Sequence, residues 1–456
     1  MKTIGLLQFM RFVLCNSCSL KSANHAFRAT GHEECVLVAD GGRRYRRIVE
    51  RLVRDELLPT FPAIHLVGAR GSGKTTSATS LADAVLDLSE PGTRRAAVES
   101  PDGLLAASRG TVLIDEWQEA PEILGAVKRA VDRDLEASPG RFVIAGSVRA
   151  AHQAATWPGT GRLIRVRMYG LTHAEIDGND ACDPVARFFA GGTDDYVRSE
   201  WDRARYCGTI VRGRFPGAMR FDGGARDRWF DSYAEQLAER DAAQLTSRSP
   251  HAPKLRAVLE SCAARTGQLL NKQAVAQDAA VDVRTADAHV SLLEDLSIVV
   301  RIPAWHIQRV KRLTRSPKVH VMDPGLAAHL LGADARALSL SDRLVGQLFE
   351  TMVVTEILPY LQASSTQTRL FHARSTDDKE VDLVLERHGR IVGLEVKSSE
   401  SVGRRDARGL RWLRDITGDA FRMGAVLYAG QWPFQLDDRI WALPISSLWQ
   451  PPLARS

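Results

Sequence analysis

The stretch "AIHLVGARGSGKTTSA" (residues 63–78) decides the fold of this chain. Residues 63–67 form an apolar run that predicts a buried strand, and residues 76–86 predict a helix. Between them, Gly68 to Thr75 matches the Walker A pattern G-x-x-x-x-G-K-[ST] at every fixed position. Strand, loop and helix in this order predict an α/β domain with a P-loop that binds a nucleoside triphosphate.

The residue types of this loop suit ATP and Mg²⁺. Glycines allow successive backbone N–H groups to turn toward the phosphates, and the helix N-terminus adds a favourable dipole. Lys74 is expected to reach the β- and γ-phosphates, and the Thr75 hydroxyl is expected to hold Mg²⁺. The predicted nucleotide-binding residues of the loop are Gly68, Ala69, Arg70, Gly71, Ser72, Gly73, Lys74, Thr75 and Thr76.

A second acidic motif follows in "GTVLIDEWQEAP" (residues 110–121). Residues 111–114 predict another buried strand, which ends at Asp115 and Glu116. We expect Asp115 to bind Mg²⁺ through water and Glu116 to orient the attacking water. A strand that ends in a solvated acidic turn is the alternative, and the P-loop upstream disfavours it.

A third strand is predicted in "RFVIAGSVRA" (residues 141–150). Ligands of open α/β sheets lie at the carboxyl ends of the strands, so Ser147 is a candidate sensor of the γ-phosphate. Ordinary turn chemistry is the alternative for Ser147. Arg149, Arg162 and Arg240 are candidate phosphate-sensing arginines, acting in the same chain or from a neighbouring subunit.

The stretch "EVDLVLERHGRIVGLEVKSS" (residues 380–399) predicts a β-hairpin with charged side chains among apolar ones. A two-residue turn at His388 and Gly389 places Asp382 opposite Glu395, with Lys397 on the same face as Glu395. Facing carboxylates repel each other, and a charge on an apolar strand is costly unless it is paired or binds a metal. A divalent cation between Asp382 and Glu395 would remove this repulsion.

Composition and charge are those of an ordinary soluble protein. The chain has 456 residues, 44% of them hydrophobic and 25% charged, which leaves room for about two to four domains. Its net charge of +6 and pI of about 9.1 weakly favour an acidic partner such as nucleic acid. We find no uninterrupted apolar run long enough to span a bilayer. Arg11 interrupts the apolar N-terminal stretch and the six cysteines are scattered, so we expect a cytoplasmic protein.

The N-terminal segment contains one metal-like pattern. Cys15, Cys18, His32 and Cys35 have residue types and spacings that could hold one zinc ion. The alternatives are that about the first 35 residues are a disordered extension, or that the translation start was assigned too far upstream.

The middle of the chain predicts helices. Residues 171–250 are polar and helical, and they indicate a lid or linker behind the ATPase core. Residues 254–303 give the order helix, helix, helix, strand, which suggests a winged helix-turn-helix. If this module bound DNA, Arg284, Thr285 and His289 would lie on the exposed face of its recognition helix. A winged helix used only for packing or protein contacts is the alternative.

Several motifs together resemble one large bacterial and archaeal family. "LVGARGSGKTT", "TVLIDEWQEAP", "FVIAGSVRA" and "GRLIRVRMYGLTHAEI" look like its AAA-type ATPase domain. "RFPGA", "SPKVHVMDPGLAAHLLG" and "GQLFETMVVTEI" match its later part, which carries a domain of unknown function that looks restriction-endonuclease-like. The resemblance covers about residues 40–445; the first 35 residues have no counterpart, and "MYGLTHAEI" departs from the usual Pro-Leu-Ser-type wording.

This resemblance implies a site in the C-terminal part. A helix with Glu350, a strand with Asp382, and Glu395-x-Lys397 on the next strand follow the order of a PD-(D/E)XK nuclease core. The resemblance would make Glu350, Asp382 and Glu395 the metal ligands and would place Lys397 near the scissile phosphate. Oxygen ligands suit Mg²⁺, and a lysine can stabilise developing charge. Glu356 is the rival helical ligand, but it lies six residues past Glu350 and points to a different face.

We therefore expect a multidomain α/β protein. The expected parts are an extension (1–36), a P-loop AAA-type ATPase core (37–170), a helical lid or linker (171–250), a winged-helix-like module (251–310) and a restriction-endonuclease-like domain (311–456). The expected function is ATP hydrolysis with Mg²⁺, coupled to a nuclease-like domain that acts on DNA or RNA. The alternative is an ATP-dependent regulator or scaffold whose C-terminal domain binds a partner without cleaving it. A homo-oligomer is compatible with an AAA-type core, and no membrane partner is expected.

Overall fold

The computed structural model describes residues 44–133, 139–146, 161–179, 182–191, 196–241, 252–308, 316–375, 377 and 379–450, with no side-chain description for 240 and 241. The chain divides into two compact units, residues 1–45 and 46–456, and all the helices and strands named below belong to the second. Cys15, Cys18, His32 and Cys35 lie outside the described residues, so the zinc hypothesis stays a prediction.

A parallel five-stranded sheet forms the first part of this unit. Its strands are β1 (Ala63–Gly68), β2 (Ala84–Asp87), β3 (Val112–Asp115), β4 (Phe142–Ala145) and β5 (Leu163–Met168), in the order β2-β3-β4-β1-β5. Residues at every position of β1, β3 and β4 are buried, as expected for parallel strands covered on both faces. The helices around this sheet are α1 (Ile48–Leu52), α2 (Lys74–Thr79), α3 (Pro91–Glu99), α4 (Pro101–Ala107) and α5 (Ile123–Arg133).

The helix predicted for residues 76–86 is wrong in its second half. Helix α2 ends at Thr79, and β2 follows it as the edge strand of the sheet, pairing in parallel with β3. The Asp83 carboxylate accepts the Thr111 N–H at 2.9 Å and so anchors the start of β2 beside β3. Strand pairing therefore outweighs the local helical pattern, as tertiary contacts commonly do.

Four helices follow the ATPase sheet: α6 (His173–Asp177), α7 (Pro184–Ala190), α8 (Arg203–Arg212) and α9 (Gly223–Gln236). The Arg187 guanidinium in α7 donates to the Ser447 carbonyl at 3.1 Å, and Arg422 donates to the Phe189 carbonyl at 3.0 Å. Helix α7 therefore packs against the C-terminal part of the chain.

The next elements are α10 (Ala252–Ala264), β6 (Gln268–Leu269), α11 (Lys272–Asp278), α12 (Val283–Asp295), β7 (Val299–Ile302) and β8 (Lys318–Val321). The three strands form an antiparallel sheet in the order β6-β8-β7. Three helices with a small sheet follow the predicted order, and the winged-helix assignment itself stays a prediction. The expected boundary at residue 310 separates β8 from the two strands with which it pairs.

The C-terminal part contains a mixed six-stranded sheet. Its helices are α13 (Pro324–Leu330), α14 (Ala335–Leu340), α15 (Asp342–Ala363) and α16 (Arg408–Thr417). Its strands are β9 (Arg369–Arg374), β10 (Glu380–Arg387), β11 (Arg390–Lys397), β12 (Phe421–Tyr428), β13 (Phe434–Asp437) and β14 (Ile440–Pro444). The sheet order is β13-β14-β12-β11-β10-β9, with β11 and β12 parallel and the β9-β10-β11 pairs antiparallel.

The predicted hairpin turn is confirmed. His388 and Gly389 have φ of 48° and 77°, as a primed two-residue turn requires. Arg387 pairs with Arg390, and the pairing continues to Leu383 with Leu394. The same register places Asp382 opposite Glu395.

One hydrophobic cluster among the described residues joins Ala69 of the P-loop to Phe349 of α15, Leu383 of β10 and Trp449, whereas most of the ATPase sheet packs in two other clusters. In the described part of the chain, one helix, α15, is long and apolar enough by length and composition to cross a membrane. Glu350 and Glu356 lie within α15, so it is not an uninterrupted apolar run. Because 72% of its apolar window is buried inside the protein, packing in this cluster accounts for the composition of α15.

Candidate functional site

The P-loop has the backbone shape that its glycines predict. Gly71 and Gly73 have φ of 74° and 93°, a region that favours glycine. Lys74 Nζ donates to the carbonyls of Gly68 and Ala69, both at 3.0 Å. The ammonium therefore lies against the residues that begin the loop, at the carboxyl end of β1.

Gly68 is required for a separate reason. A Cβ at this position would lie 2.3 Å from the Met168 carbonyl oxygen at the end of β5. No side chain fits between the two strands there, so Gly68 allows β1 and β5 to remain paired up to the start of the loop.

Arg47 contacts the P-loop through its buried side chain. The sequence patterns did not predict this contact. Its side chain is only 4% exposed and forms an ion pair with Glu175 at 3.2 Å. It donates to the Ser72 carbonyl at 2.8 Å and to the Tyr169 carbonyl at 2.7 Å. Nothing in the sequence distinguishes Arg47 from the other arginines of "RRYRR", because its role depends on contacts with distant residues.

Asp115 and Thr75 are brought together by adjacent elements of the ATPase sheet. Asp115 ends β3 and is buried, and its carboxylate lies near the Thr75 side chain at the start of α2. Burial raises the pKa of Asp115, and the nearby Thr75 side chain acts to lower the pKa of this carboxyl. A buried carboxylate beside a hydroxyl is an oxygen donor set that fits Mg²⁺. These residues could therefore hold the metal ion of an ATPase.

Glu116 adopts a strained backbone conformation directly after β3. Its φ of 49° is unusual for a residue other than glycine, and such strain is concentrated at functional sites. The Gln118 side-chain amide donates a hydrogen bond to its carboxylate. The turn thus fixes the direction of the Glu116 side chain next to Asp115.

Four more residues were predicted to sense the γ-phosphate, and the described part of the structure places none of them at the P-loop. Ser147 and Arg149 lie outside the described residues, and the Arg240 side chain is not among those described. Arg162 forms an ion pair with Asp132 of α5. These four assignments stay predictions.

Two aromatic residues of α9 cover the tip of the loop. The Tyr233 hydroxyl donates to the Arg70 carbonyl at 3.1 Å. The rings of Trp229 and Tyr233 are stacked with 5.1 Å between centroids, and both lie against Gly71. The loop is therefore held by a helix that lies outside the ATPase sheet, which the sequence motifs did not indicate.

A buried lysine organises the C-terminal carboxylates. Lys318 Nζ in β8 lies 3.0 Å from Glu350 Oε1, 2.8 Å from Glu380 Oε1 and 3.0 Å from Asp382 Oδ1, and its side chain is 2% exposed. Although burial opposes its charge, the neighbouring carboxylates hold the pKa of Lys318 well above its usual value. Burial raises the pKa of Glu350 well above its ordinary range.

The predicted hairpin residues lie beside this lysine. The Val396 N–H donates to Asp382 Oδ2 at 2.9 Å, and Lys397 Nζ donates to Glu395 Oε1 at 2.7 Å. Burial and the nearby Asp382 raise the pKa of Glu395 to about 8. The structure therefore brings Glu350, Asp382, Glu395 and Lys397 into one region, around Lys318.

Whether this region fits a metal ion depends on Lys318. No group of three His, Cys, Asp or Glu side chains within the described residues is arranged to hold a metal ion. Glu395 Oε2 is buried without a hydrogen-bond partner, which is one feature that an added ligand would satisfy. The facing carboxylates do not by themselves require a metal, because Lys318 already supplies positive charge. Metal binding by Glu350, Asp382 and Glu395 stays a prediction.

Lys318 carried a sequence signal that was missed. It lies in the apolar run "KVHVM", where a charged side chain requires a buried partner by the same reasoning as for the hairpin. Lys318 lies 64 residues before Asp382 in the sequence, so the pairing could not be recognised from the local pattern.

Glu356 has a different role from Glu350, as its position on another face of α15 predicted. It is fully buried and lies 2.6 Å from an Arg214 nitrogen and 2.9 Å from His173 Nδ1. Arg214 belongs to "RFPGA", and His173 begins α6 directly after the ATPase sheet. Helix α15 thus contacts the ATPase side through Glu356 and the Lys318 region through Glu350.

The predicted recognition helix is α12. Arg284 is exposed, whereas Thr285 and His289 are half-buried, so only one of the three residues lies fully on an open face. The Thr285 hydroxyl donates to the Asp282 carboxylate at 2.6 Å at the start of the helix. Thr285 therefore takes part in capping the N-terminus of α12.

Family models match three segments of the chain. Residues 60–177 match a model described as an AAA domain, and residues 203–337 and 345–448 match domains of unknown function, DUF8612 and DUF4143. Uncharacterized proteins of Mycobacterium bovis and Mycobacterium tuberculosis are each 29% identical over 447 residues, covering 94% of this chain and 88% of theirs.

Solved structures give weaker similarity. The Walker-type ATPase of Pyrococcus abyssi is 12% identical with a TM-score of 0.39, covering 66% of this chain and 99% of that protein. A single-residue variant of RuvB from Thermotoga maritima is 17% identical with a TM-score of 0.20, covering 56% of this chain and 86% of that protein. The Walker motifs, their geometry and the family match lead to one conclusion: residues 60–177 are an AAA-type ATPase domain.

Proposed function

We propose that this protein is a Mg²⁺-dependent AAA-type ATPase coupled to a nuclease-like C-terminal domain that acts on nucleic acid. The observation that carries the ATPase function is the contact between Thr75 and Asp115 beside the P-loop. A hydroxyl and a buried carboxylate lie together beside the P-loop, and both are oxygen donors of the kind that Mg²⁺ prefers.

Each residue of this site has a distinct task in hydrolysis. Lys74 leaves the loop carbonyls and neutralises charge on the β- and γ-phosphates. The Thr75 hydroxyl would hold Mg²⁺ and Asp115 would bind it through water, and the ion would supply further charge neutralisation. Glu116 accepts a hydrogen bond from the attacking water and aligns it with the γ-phosphate for in-line displacement.

Glu116→Gln is expected to keep ATP affinity within about threefold and to lower kcat at least about 100-fold, because general-base or water-orienting groups contribute about 10² to 10⁴. The amide preserves shape but is a poor acceptor for the water proton. Equilibrium ATP binding and steady-state phosphate release measure the two effects. Glu122→Gln, an exposed glutamate on the same connection, is the control. Normal turnover by Glu116→Gln would remove Glu116 from the mechanism.

Helix α15 could couple ATP hydrolysis to the C-terminal domain, because it contacts both parts of the chain. Glu356 bonds to His173 at the end of the ATPase domain, and Glu350 of the same helix bonds to Lys318 at 3.0 Å. A shift of α15 would therefore change both contacts. This arrangement supports a domain that responds to the nucleotide state.

The second candidate is an ATP-dependent regulator or scaffold whose C-terminal domain binds a partner without cleaving it. Lys318 favours this candidate, because its ammonium already lies among Glu350, Glu380 and Asp382. Both proposals include a cytoplasmic location and assembly into a homo-oligomer.

Cleavage of supercoiled plasmid with Mg²⁺ or Mn²⁺, with and without ATP, separates the two candidates. If the domain is a nuclease, Lys397→Ala is expected to lower cleavage at least about 100-fold, because a charge-stabilising donor is worth about 10² to 10³. Arg390→Ala, an exposed cation at the start of the same strand, is the control. A preparation that hydrolyses ATP but leaves both plasmid and RNA intact would favour the regulator.

A further inference from the structure

The buried lysine and the carboxylates around it come from two different segments of the chain. Lys318 lies within residues 203–337, which match one domain of unknown function, and its three carboxylate partners lie within residues 345–448, which match the other. The Lys318 ammonium therefore joins two segments that the family models separate. Its partners are Glu350, Glu380 and Asp382.

The ammonium uses all of its hydrogen-bonding capacity in these contacts. A lysine ammonium has three N–H donors and no acceptor. The nearest carboxylate oxygens lie 3.0, 2.8 and 3.0 Å from Lys318 Nζ, so three partners match three donors. The side chain is only 2% exposed, and these contacts are therefore shielded from water.

Each of the three predicted metal ligands is already bonded to a lysine. Glu350 Oε1 and Asp382 Oδ1 accept hydrogen bonds from Lys318. Glu395 Oε1 accepts one from Lys397 at 2.7 Å. Mg²⁺ requires oxygens at about 2.0–2.1 Å in near-octahedral geometry, whereas these oxygens are arranged around ammonium groups. In this arrangement the three side chains do not fit a divalent cation.

Lys318 and a divalent cation would compete for the same oxygens. The ammonium is 3.0 Å from both Glu350 Oε1 and Asp382 Oδ1. An ion bound to either oxygen would therefore lie within about 5 Å of the ammonium. Two cations at this distance repel each other, and burial strengthens the repulsion because it lowers the effective dielectric constant. The ion can bind only when the ammonium leaves.

The backbone of β8 holds the ammonium in place. Strand β8 is the central strand of the three-stranded sheet, where Lys318 pairs with Leu269 of β6 and with Ile302 of β7. A strand that is paired on both sides does not shift alone. Withdrawal of Lys318 would therefore move the small sheet as a unit, away from α15 and β10.

We infer that Lys318 is an internal inhibitor of the C-terminal carboxylate site: its ammonium takes the place of a divalent cation and keeps the site closed until residues 203–337 move away from residues 345–448. The same ammonium removes the repulsion between facing carboxylates, which was the reason to predict a metal ion. The inference rests on the proposed nuclease-like site and describes its regulation.

Titration of Mn²⁺ into the full chain tests this inference, with the free ion measured by electron paramagnetic resonance. Nucleotide is left out, because ATP itself binds the ion. Wild type is expected to bind no Mn²⁺ at the carboxylates, so Asp382→Asn should not change its titration. Lys318→Met, whose side chain ends one atom short of the ammonium, is expected to bind one more Mn²⁺ per chain. Adding Asp382→Asn to this variant should abolish the extra site.

Two further variants complete the experiment. Lys272→Met removes an ammonium from a surface ion pair and is expected to titrate as wild type does. Where Lys318→Met does not fold, Lys318→Met combined with Glu380→Gln takes its place, because it leaves one fewer buried carboxylate without a cation. Glu380 is not one of the predicted ligands, so the extra Mn²⁺ is expected in this variant as well.

Two results would overturn the inference: an ion bound by wild type that Asp382→Asn removes, or no extra ion in the folded Lys318 variants. Plasmid cleavage by wild type together with the first result would leave the proposed function standing and remove the inhibition by Lys318. An extra ion in Lys318→Met without cleavage of plasmid or RNA would keep the inference and remove the nuclease.

Discussion

Lys74→Ala is expected to lower ATP turnover at least about 100-fold and to weaken nucleotide binding as well, because one charge-stabilising donor in a catalytic site is worth about 10² to 10³ in kcat. We expect this ammonium to neutralise charge on the β- and γ-phosphates of bound ATP. Its replacement also removes the hydrogen bonds to Gly68 and Ala69 that hold the start of the loop.

Fluorescent-nucleotide titration and steady-state phosphate release measure the two effects separately. Lys254→Ala changes an exposed lysine of α10 and controls for the loss of one positive charge. A melting temperature close to that of wild type would show that the loop change has not unfolded the chain. Unchanged affinity and turnover in Lys74→Ala would contradict the assignment of the nucleotide site.

Lys318→Met is expected to destabilise the protein by about 3–5 kcal/mol, which is the usual cost of removing one partner from a buried charge network. Glu350 and Asp382 are 7% and 9% exposed and would lose the ammonium that lies 3.0 Å from each of them. Methionine keeps most of the side-chain length, so the loss is mainly of charge. Urea unfolding near neutral pH measures the difference.

Lys272→Met is the matched control for this prediction. It removes an ammonium from a surface ion pair with Asp287, where such pairs contribute little to stability. The deficit of Lys318→Met is expected to shrink as pH falls, because buried carboxylates without a cation have raised pKa values and become neutral on protonation. Equal stability of the two variants would mean that Lys318 does not hold the carboxylates together. Stabilisation of Lys318→Met alone by Mg²⁺ would show that a divalent cation can replace the ammonium.

Local patterns predicted the parts of the fold that local chemistry determines. The P-loop lies where its glycines and Lys74 require, and the turn at His388 and Gly389 sets the hairpin register. These features depend on residues that are neighbours in sequence. For that reason Asp382 could be placed opposite Glu395 from the letters alone.

The features that were missed depend on distant contacts. Strand β2 exists because it pairs with β3, whereas residues 76–86 by themselves favour a helix. Arg47 and Lys318 are important through partners far away in sequence, such as Glu175 and Asp382. A single sequence gives no distance between such residues, so the buried cation that compensates the hairpin carboxylates could not be identified from the hairpin itself.

The hydrophobic cluster shared by the ATPase segment and the C-terminal part has a practical consequence for anyone who wishes to dissect this protein. Ala69 beside the P-loop and Ala174 of α6 share that cluster with Phe349 and Trp449 from the C-terminal part. A shortened chain that stops after the ATPase segment would leave such surfaces in water, at about 25 cal/mol for each Å² of apolar area. The family boundaries at residues 177 and 345 therefore mark changes of sequence pattern, and they are poor places to cut when separate recombinant fragments are wanted.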